Sequence, residues 1–289
     1  DPPERKFGNY DPAAVVQGIT INKVAYGKGY LSVAGWPTQM AAGEPPINVS
    51  DFSLALGDVR TVEQPKMEEF SGTMPAEDQT RVYLFGGRSP DGSISNRLWV
   101  GEPPPVVGGD GGPSLIWRRV GGTGIQPPGM LGAAMFVYVR PKPAVVVPAS
   151  WEQVDNDLLV LGGVTDTGGL NSNLWHFDSY RETWYSLGPP KGDEYHGGWA
   201  AVTWRGGRGY LYGGWDGSAP MDGLYALDFV TRRLIRLDAP AADGPGPRTK
   251  ASIVVTGDGR SLALFGGLTP AGWTNDLWRF DFREKAWRL

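Results

Sequence analysis

Short apolar runs alternate with polar, glycine-rich breaks along this chain, and the runs are copies of one another. Each ends in a pair of small residues: Tyr30-Leu-Ser-Val-Ala-Gly35, Val82-Tyr-Leu-Phe-Gly-Gly87, Leu158-Leu-Val-Leu-Gly-Gly163, Tyr210-Leu-Tyr-Gly-Gly214 and Leu262-Ala-Leu-Phe-Gly-Gly267. Runs this short, rich in aromatic and aliphatic residues and closed by glycine, predict strands rather than helices. The final glycines are spaced 52, 76, 51 and 53 residues apart. A repeat of about 50 residues is the period of a propeller blade.

A second pattern follows each pair. Asn173-Leu-Trp-His-Phe-Asp178, Gly223-Leu-Tyr-Ala-Leu-Asp228 and Asp276-Leu-Trp-Arg-Phe-Asp281 lie in register, and Asn96-Arg-Leu-Trp99 is an incomplete copy. Nine residues beyond the central aromatic comes another large apolar residue: Trp184 after Trp175, Leu234 after Tyr225, Trp287 after Trp278. Each unit therefore reads as four strands: a first strand rich in small residues (Ala133 to Val139, Gly198 to Trp204, Ala251 to Thr256), the diglycine strand, the aromatic strand, and a fourth that usually bears Trp. Tight turns such as Gly27-Lys-Gly29 and Gly257-Asp-Gly259 join the first two.

This arrangement resembles the kelch repeat family, whose units combine a diglycine after four apolar residues with a spaced Tyr and Trp. The resemblance runs from about Ala14 to Leu289. It implies an all-β fold, a kelch-type β-propeller of four-stranded antiparallel blades around a central axis. Five blades are expected, with six as the alternative if Asp1 to Pro12 or residues beyond this sequence complete another. The expected organisation is an N-terminal extension over 1–13 and a propeller over 14–289, with insertions near 101–114 and 141–155 that read as mobile loops. Unit one departs from the pattern, with Ala34-Gly35 for the diglycine and Ser53 where the aromatic belongs. Unit two has only Glu68 to Pro75 available as a first strand, and Trp117 reads as its displaced fourth-strand Trp.

Composition narrows the chemistry. Forty-three Gly and 25 Pro approach a low-complexity level, but 12 Trp, 11 Tyr and 10 Phe are too much apolar area to leave in water, so Gly and Pro punctuate packed elements. Twenty-seven basic residues against 31 acidic ones, with no basic run longer than two, argue against nucleic acid as a partner. Without any Cys there are no disulfides, thiolate metal sites, thiol nucleophiles or Cys-Tyr crosslinks, and the copper-radical oxidase chemistry that some kelch-like propellers carry has no crosslink to form. The longest uncharged stretch, Val120 to Val139, holds five Gly and two adjacent Pro, a poor membrane span. A chain opening on Asp1 reads as a processed or excised segment. Compartment stays open, with a lean to cytoplasmic; Asn48-Val49-Ser50 is a glycosylation pattern too common by chance to decide it.

Motifs of catalysis are weak. No phosphate-loop pattern accompanies the glycines, which read as places where backbone approaches closely or φ turns positive. The repeat tryptophans read as packing between blades, and Asp178, Asp228 and Asp281 as caps of the turns that follow them. His176 lies in a strand; His196, beside Asp193 and Glu194, is the one candidate metal ligand or base, and a structural loop histidine is the expected reading. Paired carboxylates for sugar chemistry cannot be picked out among 31 acids. No cofactor, no metal and no catalytic residue is expected.

Antiparallel blades place the loop between strands two and three on the same rim as the loop that enters the next blade. The residues directly after the small pairs are Trp36, Arg88, Val164, Trp215 and Leu268, with Trp273 further along its loop. Entry loops add Glu68-Glu69-Phe70, Met130, Glu194-Tyr195-His196 and Arg248-Thr249-Lys250. Trp36, Trp215 and Trp273 stand outside the repeat's packing pattern, and with Arg88, Tyr195, His196 and Arg248 they compose a candidate partner-binding surface. The expected function is a non-catalytic protein–protein interaction module, a scaffold or adaptor part of a larger protein or complex, whose partner is a protein or peptide. The alternative is carbohydrate: a sugar-binding domain, or an epimerase resembling the kelch-fold sialic acid mutarotases. Fold alone does not choose between these.

Overall fold

A computed structural model describes residues 21–24, 30–33, 53–59, 79–89, 91–102, 116–139, 156–179, 181–205, 207–238 and 244–289. All the regular elements among them are strands. Near the N-terminus β1 (Ile21–Val24) and β2 (Tyr30–Val33) form a two-stranded antiparallel hairpin. Blade 1 follows as β3 (Ser53–Val59), β4 (Gln79–Phe85), β5 (Leu98–Glu102) and β6 (Ile116–Val120), hydrogen-bonded in that order. The chain then runs through two short segments, β7 (Thr123–Gly124) and β8 (Met130–Leu131), before the next blade.

Blade 2 consists of β9 (Ala134–Val139), β10 (Asn156–Leu161), β12 (Trp175–Asp178) and β13 (Thr183–Ser186), with β11 (Val164–Thr165) in the loop between its second and third strands. After β14 (Lys191–Gly192), blade 3 is β15 (Ala201–Arg205), β16 (Arg208–Tyr212), β17 (Leu224–Asp228) and β18 (Arg233–Arg236). Blade 4 is β19 (Ser252–Val255), β20 (Ser261–Thr269), β21 (Gly272–Asp281) and β22 (Ala286–Arg288). On leaving one blade the chain adds a short parallel strand to the outer edge of the next, β7 on β13 and β14 on β18, then crosses to the inner strand. These additions cover sheet edges that would otherwise present unpaired backbone.

Three apolar layers lie between the blades. Tyr83, Phe85, Leu98 and Val100 of blade 1 meet Met135, Val137, Leu158, Val160, Trp175, Phe177 and Trp184 of blade 2. Phe136, Leu159, Leu161 and Leu174 of blade 2 meet Leu211, Leu227, Phe229 and Leu234 of blade 3. Tyr210, Tyr212, Leu224 and Ala226 of blade 3 meet Ile253, Leu262, Leu264 and Phe280 of blade 4. Alternation along each strand thus serves two neighbours, one per face, which is why these strands read as nearly continuous apolar runs. Trp175 and Trp184 are buried in the first layer, and Trp278 and Trp287 pack against the third. The indole N–H of Trp175 donates to Asn171 Oδ1, that of Trp278 to Asp276 Oδ2 at 2.6 Å, and that of Trp287 to Asp238 Oδ2.

Among the described residues the blade count differs from the expected five. Four complete blades are present among the described residues, and only β1 and β2 of the N-terminal unit are described. The expected first strand of unit two, Glu68 to Pro75, is not used: Ser53–Val59 pairs with β4 along its whole length, from Ser53 opposite Phe85 to Val59 opposite Gln79. The repeat pattern alone counts that segment in unit one, with Ser53 at the aromatic position. Its Ser53, Ala55 and Gly57 are the small residues that mark the first strand in the other blades. Trp117 does lie in a fourth strand, β6, and is buried. The Gly27-Lys-Gly29 turn, the extension over 1–13, and most of the two insertions lie outside the described residues.

The aspartates that end the third strands cap the turns that follow. Asp178 Oδ1 accepts from Arg181 N, Asp228 Oδ1 from Thr231 N at 2.8 Å and from its hydroxyl, and Asp281 Oδ1 from Arg283 N and Glu284 N. Each turn then places a non-glycine residue in the left-handed region: Glu182, Arg232 and Lys285, with φ of 48°, 58° and 52°. A side chain there costs about 1–2 kcal/mol, against about 0.5–1 kcal/mol of chain entropy for glycine. Arg232→Gly is therefore expected to stabilise the chain by about 0.5–1 kcal/mol, read as a higher urea midpoint with an unchanged slope.

Candidate functional site

One hydrogen bond recurs at the top of blades 1 to 3. The second glycine of the pair donates to a carbonyl in the loop entering the next blade: Gly87 N to Met130 O, Gly163 N to Gly197 O and Gly214 N to Arg248 O, all at 2.9 Å. The first glycine makes the approach possible. Gly86, Gly162 and Gly213 have φ of 74°, 70° and 65°, and a Cβ on any of them would overlap that same carbonyl oxygen. The paired small residues thus fasten the loop after strand two to the entry loop of the next blade, and these loops gather on one rim.

Beyond the glycines each rim loop is closed by a backbone bridge across it: Arg88 with Ile94, Val164 with Leu170, Trp215 with Pro220, and Leu268 with Trp273 at the end of the β20–β21 ladder. Aspartates hold two of the tips. Asp91 Oδ1 accepts from the Ser93 amide and hydroxyl, and Asp216 Oδ1 from Ser218 N, the Ser218 hydroxyl and Ala219 N. These bonds draw both carboxyls below the usual carboxylate range. The loops are stiff turns, not open connections.

The entry loops contribute a backbone device that sequence reasoning missed. Gly132, Trp199 and Lys250 occupy equivalent places two residues before the inner strands β9, β15 and β19, and all three are left-handed, with φ of 59°, 53° and 56°. Trp199 N donates to Gly132 O at 2.7 Å, and Lys250 N to Trp199 O at 2.9 Å. The three form a staircase from blade to blade. On it the Trp199 ring meets the Trp215 ring edge to face, with centroids 6.1 Å apart, and Lys250 Nζ lies 5.7 Å from the Trp199 centroid. Strained backbone of this kind costs about 1–3 kcal/mol per residue and concentrates where a surface is shaped for a task. The signal in the sequence was the glycine at the blade 2 position, since only the conformation makes Gly132, Trp199 and Lys250 equivalent.

The residues singled out from sequence divide into those presented and those that support. Trp273 is 71% exposed. Trp215 and His196 are half-buried, and the Coulombic pull of His196 contributes to lowering the Asp216 carboxyl, which places the two near one another. Arg88 is exposed and donates to Gly92 O of its own loop at 3.3 Å. Tyr195 and Arg248 face inward. Tyr195 is buried, its hydroxyl donates to Gly213 O, and burial pushes its phenol up. Arg248, only 2% exposed, makes a bidentate pair with Asp276 at 2.8 and 2.9 Å and also donates to Gly266 O, Gly246 O and Pro245 O. Both hold the rim from behind. Trp36 lies outside the described residues.

Two further places have a site's ingredients. Half-buried His176, stacked on Tyr185, has its Nε2 2.8 Å from Oδ2 of the buried Asp157, whose other oxygen accepts from Ser179 N. Blade 3 has Ala226 where blade 2 has His176, as the rows Leu159–His176–Tyr185 and Tyr210–Ala226–Ile235 show. The missing side chain leaves a cleft of about 480 Å³ between blades 3 and 4, walled by Tyr210, Ala226, Ile235 and Phe282 with Arg208 and Arg233 at its mouth. It opens at the turn end of the strands, away from the rim. Asp193 is engaged with Arg236 N at 2.6 Å, and no group of three or more potential metal ligands gathers among the described residues. Nor is any helix among them long and apolar enough to cross a membrane.

With this geometry in hand, comparison with known families adds one finding. Residues 148–289 match the family model described as the KLHDC2/KLHL20/DRC7 Kelch-repeats domain. The match covers the diglycine strands of blades 2, 3 and 4 and the aromatic strands that follow them.

Proposed function

Because this chain, over residues 148–289, belongs to the kelch repeat family, whose propeller domains generally serve as protein-interaction modules, we propose that it is a non-catalytic interaction module that takes a peptide segment of a protein partner on the rim. The observation that carries the reading is the aromatic and cationic cluster in which Trp199 and Lys250, both on left-handed backbone, meet Trp215, with Trp273 exposed on the neighbouring loop. Exposed tryptophan on a stiff loop loses little entropy on binding and offers a large apolar face, the composition of a binding hot spot. Arg88 and His196 add polar contacts around it, and Trp36 occupies the same post-strand position in the N-terminal unit as Trp215 in blade 3. Tyr195 and Arg248 act through the loops they hold.

The test is affinity capture with the intact chain against a Trp36→Ala, Trp215→Ala, Trp273→Ala variant whose fold is checked by circular dichroism. The captured partner is expected to bind the variant roughly 30-fold more weakly, the scale of about 2 kcal/mol for truncated hot-spot aromatics. Equal binding by the two would remove the rim from the account. A glycan array run on the same pair separates the carbohydrate alternative, since saccharide binding that depends on these tryptophans would replace a protein partner with a sugar.

A further inference from the structure

The outer half of the interface between blades 2 and 3 is filled by rings, and the same place between blades 3 and 4 is not. In blade 2, Phe136 and His176 flank Leu159 across the ladder. In blade 3 the equivalent residues flanking Tyr210 are Thr203 and Ala226. The Phe136 ring packs on Phe229 of blade 3 with centroids 5.6 Å apart, and the His176 ring stacks on Tyr185. Phe282 of blade 4 follows its capping aspartate as Phe229 does, but blade 3 offers it threonine and alanine in place of the two rings. The cleft of about 480 Å³ is the room they leave, and it is large enough for a small molecule.

Charge inverts one row further out. In blade 2 the carboxylate of Asp157, two residues before Leu159, lies 2.8 Å from His176 Nε2. Blade 3 has Arg208 in that position, and its cross-strand row runs Arg205, Arg208, Asp228, Arg233. Three guanidiniums meet one carboxylate. Arg205 is engaged, donating to Thr256 O and Gly257 O. Arg208 approaches Asp228 only to 3.8 Å, and Asp228 Oδ1 is taken by the amide and hydroxyl of Thr231. The Arg233 side chain, at the mouth of the cleft with Arg208, makes no hydrogen bond or ion pair among the described residues. Blade 2 thus shows what this place accepts, a flat ring held to a charged group. Blade 3 supplies the walls and the charge without the ring, and its charge is positive.

We propose that the cleft between blades 3 and 4 is a binding site for a small aromatic carboxylate, whose ring takes the place that His176 fills in blade 2 and whose carboxylate meets Arg208 and Arg233 at the mouth. The ring covers apolar walls that otherwise stand in water, Ile235 among them at 42% exposure. The carboxylate accepts charge-assisted hydrogen bonds from guanidinium forks, one of them unengaged and the other loosely held. An aromatic acid satisfies both halves at once, where a neutral ring or a bare anion satisfies one. The site lies away from the rim, and its ligand does not depend on the rim tryptophans.

The test titrates the intact chain with phenylacetate and indole-3-acetate, followed by ligand-observed NMR, beside acetate, which has the charge without a ring, and phenylacetamide, which has the ring without the charge. Saturable binding of an aromatic acid is expected, with acetate and phenylacetamide weaker by roughly tenfold or more, the scale of a buried ring and of a charge-assisted hydrogen bond. Arg233→Gln changes an exposed side chain and is expected to weaken the acid by roughly tenfold. Ala226→Leu fills the cleft and is expected to abolish binding, with circular dichroism and the urea midpoint checking the fold of both variants. The Trp215→Ala, Trp273→Ala variant should bind the acid as the wild type does. Saturable binding of neither acid overturns the proposal, and so does phenylacetamide binding as tightly as the acids. Wild-type affinity in a folded Arg233→Gln variant places the acid elsewhere on the chain, and loss of binding in the rim variant moves it to the rim; either result overturns the assignment.

Discussion

Gly213→Ala is expected to destabilise the chain by roughly 3–5 kcal/mol, although it adds a single methyl group. Two costs combine. The residue has φ of 65°, where a Cβ is penalised by about 1–2 kcal/mol. The added methyl also overlaps Arg248 O, a backbone atom that cannot swing aside as a side chain could, and overpacking of that kind adds about 1–3 kcal/mol. The displaced entry loop would further weaken the bond from Gly214 N to the same carbonyl. Gly257→Ala is the control, with nothing near its Cβ, and it is expected to shift stability by less than about 0.5 kcal/mol. Urea unfolding of the two variants reads the difference directly. A mild Gly213→Ala would mean that close approach is not why small residues end these strands.

Arg248→Met should cost a similar amount, about 3–5 kcal/mol, because it leaves Asp276 without the guanidinium that pairs with both its oxygens and removes the donors that hold Gly266 O, Gly246 O and Pro245 O. Arg248→Lys is not a rescue, since an ammonium cannot reproduce the bidentate fork. The pair also has a pH signature. The hydrogen bonds from Arg248 chiefly, then from Trp278 and Thr274, lower the Asp276 carboxyl to about 2 against the opposing effect of burial. A folded value below the unfolded one, about 3.9, stabilises the fold fully above that unfolded value, and the stabilisation is lost as pH falls from about 4 through about 2. Wild-type stability should therefore drop over that window by more than that of Arg248→Met, in which the largest lowering cause is gone. Parallel acid slopes in the two proteins would show that the pair does not carry the effect.

How much was legible in the amino acids follows from how local each signal is. The diglycine runs and the aromatic strands with their capping aspartates are each read within a window of about six residues, and their period exposes the blades. Blade 1 was misassembled because the partner of its diglycine strand, Ser53–Val59, lies across a long connection, and a small-residue strand has no signature strong enough to survive that distance. The rim was legible as a place, because antiparallel topology dictates which loops share a face. Its residues were less so. Arg248 looked like a surface cation until Asp276, 28 residues further on, took it inward. Trp199 looked like part of a strand, and only the carbonyl of Gly132 turns it out of line with the ladder. Burial and left-handed backbone are set by partners from other blades, and composition does not record them.

The central claim, that the rim is the working surface, is tested most directly by titrating the captured partner against three forms of the intact chain. These are the wild type, a Trp215→Ala, Trp273→Ala variant, and an Arg233→Ala, Ile235→Ala variant altered at the cleft on the opposite side. The account predicts a roughly 30-fold loss of affinity in the first variant and wild-type affinity in the second. The reverse order, with the cleft variant impaired and the rim variant intact, would contradict it and move the site to the cleft between blades 3 and 4.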